Sequence, residues 1–200
     1  MIRLFGSLTS PYVRKVRVVA AELALAVDFT VVDAWSPDNG IPARSPLGKV
    51  PVIEIDGMTL FDSTLIIEYL DSRSGNRLIP AAGPARWAVL RWHALAHGLI
   101  DAAATRTLET RRPAEHRSPA VLAREAVRIA RVLDGIEAAL AGPGPLAGDT
   151  VTLADLALGV AVGYVDFRYP HDWRGTRPNL AGWAAEIHRR PSFQGTLPPQ

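Results

Sequence analysis

The chain has 200 residues, 48% of them apolar and 21% charged, with a net charge of +2 and no cysteine. This composition suits a folded protein of one large or two small domains, and its charge demands neither a nucleic-acid nor a membrane partner. The lack of cysteine excludes disulfides, thiolate metal sites and any mechanism built on a protein thiol, so thiol chemistry has to come from a bound small molecule.

In chain order, Ile2 to Phe5 reads as a short strand. The apolar run before Gly6 is too short for a signal peptide, and no run reaches the roughly 18–20 residues of a membrane span, so a cytoplasmic protein is expected. Ser7-Leu8-Thr9-Ser10-Pro11 reads as a turn opening a helix, with Ser10 as N-cap and Pro11 in the first helical position. Val13, Val16, Val19 or Ala20, and Leu23 follow at helical spacing, while Arg14, Lys15 and Arg17 fall on other faces. Asp28 to Val32 reads as a second strand, and residues 33–48 as polar, proline-bounded segments. Val52 to Ile55 and Met58 to Phe61 read as strands joined by Asp56-Gly57, a pair suited to a type I′ hairpin turn. Asp62-Ser63 then opens an amphipathic helix presenting Leu65, Ile66, Tyr69 and Leu70.

Near residues 75–84 (GNRLIPAAGP) the composition turns to glycine and proline, as in a linker. No further strand is expected. Helical patterns cover 85–111 and 118–141, the latter stopped by Gly142-Pro143-Gly144-Pro145. Thr152 and Asp155 form a capping box before a nearly all-apolar helix that would run through the middle of a helical domain. Asn179 to Arg190 reads as another helix, followed by a proline-rich tail.

The segments TSPYVRK and SPLGKVPVIEIDGMTLFDS, together with the linker, the capped apolar helix and Arg190-Pro-Ser-Phe193, resemble the cytosolic glutathione transferases over essentially the whole chain. The match is closest to small bacterial glutathione transferase-like proteins, which usually carry Asn where this chain has Ser45. The resemblance implies an α/β thioredoxin-like domain over residues 1–78 and an all-α domain over 85–200. It implies glutathione as co-substrate, a homodimer and a role in detoxification.

Residue by residue, Ser10 matches the thiol-contacting position, with adjacent Thr9 as the alternative. Val50-Pro51 matches a cis-proline turn whose backbone pairs with the cysteinyl segment. Asp62 and Ser63 match the pair that binds the γ-glutamyl end, and Lys49 a lysine that contacts the glycyl carboxylate. Asp101 matches an acid that reaches across a dimer interface. Each has a plainer reading: Ser10 and Asp62-Ser63 as helix caps, Pro51 as a strand starter, and Lys49 and Asp101 as solvated side chains. Arg106, Tyr164 and Arg168 are assigned to the second substrate without support from spacing.

A serine is chemically sufficient for the thiol. A free thiol titrates near about 8.5, and lowering it by two units needs about 2.7 kcal/mol. A helix N-terminus contributes up to about 2 kcal/mol and a hydroxyl donating to the anion about 1.5–3 kcal/mol. No metal is expected: His93 and His97 lie four apart but lack a third ligand. The arginines at 111, 112, 117, 124, 128 and 131 read as a solvated helix face. The rival to an enzyme is a non-catalytic regulator built on the same fold.

Overall fold

The computed structural model describes residues 1–200 except Pro37, Ala141, Pro143, Pro170, His171 and Gln200. The chain divides into two units, Met1–Gly83 with Pro191–Gln200, and Pro84–Arg190.

The first unit has an α/β thioredoxin-like arrangement. Strands β1 (Ile2–Gly6), β2 (Val27–Val31), β3 (Val52–Ile55) and β4 (Met58–Phe61) form one sheet in the order β2-β1-β3-β4. β1 and β2 are parallel, which requires a crossover, and α1 (Pro11–Glu22) supplies it. β3 runs antiparallel to both β1 and β4. The hairpin turn forms because Asp56 and Gly57 both take positive φ, 52° and 78°, as a type I′ turn requires. Helix α2 (Ser63–Arg73) packs on β3, β4 and α1. Leu4, Val13, Val16, Ile53, Ile66 and Ile67 make up the buried interior.

Two sequence expectations change here. The helical domain was expected to run over 85–200, but the segment from Pro191 belongs with the first unit. Its short helix, α7 (Pro191–Gln194), packs on α1. Arg14 Nη2 donates to Phe193 O at 3.3 Å, and the guanidinium lies 5.7 Å from the Phe193 ring. Ser192 Oγ donates to Glu22 Oε1 at 2.5 Å, and Phe193 is wholly buried. Arg14 and Lys15 were placed off the apolar face of α1; both are buried, because α2 and α7 together cover more of that helix than its apolar stripe indicates.

The second unit contains helices α3 (Gly83–Arg111, starting at the unit boundary), α4 (Pro119–Ala139), α5 (Leu153–Arg168) and α6 (Pro178–His188), with a tight helical turn at Ala114–His116. No strand occurs in it among the described residues. α5 is buried continuously from Leu153 to Val162. Its capping box is complete: Asp155 Oδ2 accepts from Thr152 N at 2.8 Å and from Thr152 Oγ1 at 3.1 Å, while Oδ1 accepts from Leu146 N at 2.8 Å. The glycine-proline stop after α4 includes Pro143, which lies outside the described residues. No helix among the described residues is long and apolar enough to cross a membrane.

Candidate functional site

Strand register assembles the site. Phe5 pairs with Val52, and Val52 pairs with Phe61. The end of β1, the start of β3 and the end of β4 therefore lie side by side, at strand spacings of about 4.8 Å. From these three ends emerge the Ser7–Ser10 turn, Val50-Pro51 and Asp62-Ser63. Three segments far apart in sequence thus meet at one end of one sheet.

The first segment is a helix start held close to its strand. Ser10 has extended backbone (φ −79°, ψ 124°), and its Oγ accepts from Val13 N at 3.3 Å. Because that bond uses an oxygen lone pair, the hydroxyl proton remains available to donate. A Cβ on Gly6 would lie 2.6 Å from Val13 Cγ2, so glycine lets the first turn of α1 sit against the end of β1. Thr9 is engaged differently: its Oγ1 lies 3.2 Å from Ser7 Oγ, and its N–H donates to the same oxygen at 3.3 Å. One turn along α1, burial lowers the Arg14 pKa to about 10, with the charge of Arg17 adding to the effect, so it is still a cation at neutral pH.

The second segment begins with a turn. Ser45 is wholly buried; its N–H donates to Ile41 O at 2.8 Å and its Oγ accepts from Leu47 N at 3.3 Å. Lys49 is exposed, and the Val50-Pro51 peptide is cis. The Val50 side chain packs against Phe5, Ile41 and Val52. Among the described residues its backbone N–H and C=O take no hydrogen-bond partner.

In the third segment, Asp62 takes a positive φ of 70° and caps α2. Its Oδ1 accepts from Thr64 N at 2.7 Å and from Leu65 N at 3.4 Å. Ser63 is 2% exposed, and among the described residues its Oγ has no hydrogen-bond partner. Its N–H stands in the first helical position, where the helix itself supplies no acceptor.

The remaining sequence-nominated residues lie in the second unit. Asp101 is exposed on α3, with His97 Nε2 3.7 Å from its Oδ1. Arg106, also on α3, stacks 4.0 Å from the Tyr169 ring centroid. Tyr164 is 9% exposed on α5, and Arg168 stacks 3.9 Å from the Phe167 ring. The His93 and His97 rings meet edge to face at 6.0 Å, and among the described residues no group of three or more His, Asp or Glu is placed to hold a metal. Sequence reasoning missed Gly6, Ser7 and Arg14. Ser7 has a local signal in the Ser-x-Thr-Ser cluster, whereas Gly6 and Arg14 are seen only through packing.

The family model for the glutathione S-transferase N-terminal domain matches residues 4–78, and that for the C-terminal domain matches residues 119–186. The uncharacterized GST-like protein YibF of Escherichia coli (strain K12) is 36% identical over 202 residues, covering all of both chains. A glutathione S-transferase from Methylobacillus flagellatus, solved with glutathione bound, superposes with a TM-score of 0.95 at 40% identity, again over all of both chains. A glutathione transferase family member from Pseudomonas fluorescens, solved with S-(propanoic acid)-glutathione, does so with a TM-score of 0.87 at 37% identity over the whole of each chain. The family's two domain models together match more than half of the chain and these relatives its full length, so the chain belongs to the glutathione S-transferase family.

Proposed function

We propose that the first unit binds reduced glutathione across the three aligned segments and that Ser10 holds its thiol as the anion for attack on an electrophile. The observation that carries this reading is the Ser63 hydroxyl, buried with no partner among the described residues at the start of α2. Such a group costs about 1–3 kcal/mol while unsatisfied, and a helix N-terminus favours an anion. The α-carboxylate of a γ-glutamyl group satisfies both. The Asp62 carboxylate, held at the start of α2 by its bonds from Thr64 N and Leu65 N, suits the neighbouring ammonium group. The Val50 N–H and C=O suit an extended cysteinyl segment added like a strand. Lys49 reaches the glycyl carboxylate. In a cytoplasmic homodimer, Asp101 approaches the ammonium group held by the other subunit.

At the sulfur, Ser10 donates its hydroxyl proton in a hydrogen bond while α1 presents its positive end. Ser10 rather than Thr9 is given this role because Ser10 is the N-cap of α1, whereas the Thr9 hydroxyl lies before the helix and beside Ser7. The thiol proton passes to water. The sulfur lone pair then forms the bond to carbon. The leaving group departs with the electron pair or, where the electrophile is a double bond, the adjacent carbon takes up a proton from water.

Glutathione-bound relatives at 40% and 36% identity support the same reading. Calorimetric titration with glutathione tests it. Saturable binding at millimolar ligand or below is expected; none at that concentration would favour the non-catalytic regulator.

A further inference from the structure

The second unit carries a cationic, ring-lined face that the glutathione reading does not use. α3 meets the end of α5 where the Arg106 guanidinium stacks on Tyr169 at 4.0 Å. Arg168 precedes Tyr169 in sequence and stacks on Phe167 at 3.9 Å. Tyr164, one turn back from Arg168, shares its side of α5. Stacking takes one face of each guanidinium out of water. Among the described residues, Nε of Arg106 and Nε of Arg168 are both buried without a hydrogen-bond partner.

The acids that would ordinarily neutralise these arginines are engaged elsewhere. Glu109, three residues from Arg106 on α3, accepts from Ser118 N at 2.6 Å and pairs with Arg112 at 3.5 Å. Asp166 accepts from both terminal nitrogens of Arg174, at 2.9 and 2.6 Å, and from Trp173 Nε1 at 2.8 Å. Asp172 accepts from Arg174 N at 3.1 Å. Two positive charges therefore sit among aromatic rings with their nearest acids in sequence committed.

We propose that Arg106 and Arg168, with Tyr164 and Tyr169, bind the carboxylate and ring of an aromatic acid, and that the electrophile is of this class. The guanidinium fork matches a carboxylate in two parallel hydrogen bonds, and the tyrosine rings offer apolar surface beside it. That the acid is the electrophile rests on the transferase reading; the anion site itself does not.

The test is calorimetry on the intact protein without glutathione, comparing a chloronitrobenzoate with the matching chloronitrobenzamide. The benzoate should bind about tenfold or more tightly than the amide, the ordinary advantage of a charge-assisted hydrogen bond. Arg106→Met and Arg168→Met should each abolish that preference, and the Lys variants should keep part of it and guard against misfolding. Equal binding of the two probes, absence of benzoate binding, or a preference that survives both Met variants overturns the proposal. Glutathione titrated into the same samples separates the two readings. Glutathione binding without benzoate preference sinks this inference alone, and benzoate preference without glutathione binding sinks the transferase reading while sustaining the anion site.

Discussion

Replacing Ser10 by alanine removes a hydroxyl with two roles. As the N-cap of α1 it accepts from Val13 N at 3.3 Å, and its loss costs about 1 kcal/mol of stability, leaving the domain folded. As a donor to the glutathione sulfur it contributes about 1.5–3 kcal/mol, which raises the bound thiol's pKa by about one to two units. If that pKa moves from about 6.5 to about 7.6–8.7, the thiolate fraction at neutral pH falls about four- to fortyfold. The assay is the pH dependence of kcat/KM with an activated aryl halide such as chlorodinitrobenzene. The rising limb should shift to higher pH, and the variant and parent rates should converge well above the new pKa, where ionisation is complete in both. A folded Ser10→Ala protein with an unmoved pH profile refutes the assignment, all the more if Thr9→Ala moves it instead.

Ser63→Ala should weaken glutathione binding about tenfold while leaving the ligand-free protein as stable as the parent or more so, because an unsatisfied buried hydroxyl is removed; calorimetry and urea unfolding read the two effects. Gly6→Ala forces a Cβ to within 2.6 Å of Val13 Cγ2 and should cost about 1–3 kcal/mol in urea unfolding, with a lower turnover as α1 and Ser10 are displaced. Asp155→Ala strands the N–H groups of Thr152 and Leu146 at the start of α5 and should cost at least about 3 kcal/mol by the same measure. Phe193→Ala should cost about 3–5 kcal/mol, and hydrogen exchange should show the lost protection in α1, although α1 lies far from Phe193 in sequence.

Features with local causes could be read from the sequence. Asp56-Gly57 specifies its turn through backbone φ, Ser10-Pro11 its helix start, and Thr152 with Asp155 the cap of α5. Features with distant causes could not. The contact between Arg14 and Phe193 spans 179 positions and has no local periodicity, so the chain's end read as a tail. Ser63 could be nominated from its place before a helix, but only burial reveals that its hydroxyl is unpaired. Ser45 caps its turn through its hydroxyl, as the bond from Leu47 N shows, and its complete burial is visible only in the structure. The alignment of Ser10, Val50-Pro51 and Asp62-Ser63 follows from the register of Phe5, Val52 and Phe61, and pairing partners cannot be read from any one strand.

The most direct measurement is a crystal structure of the protein with reduced glutathione. The sulfur should lie within about 3.5 Å of Ser10 Oγ, with the γ-glutamyl carboxylate on the Ser63 N–H and hydroxyl. A sulfur turned away from the start of α1, or a carboxylate seated elsewhere with Ser63 still unpaired, would contradict the account.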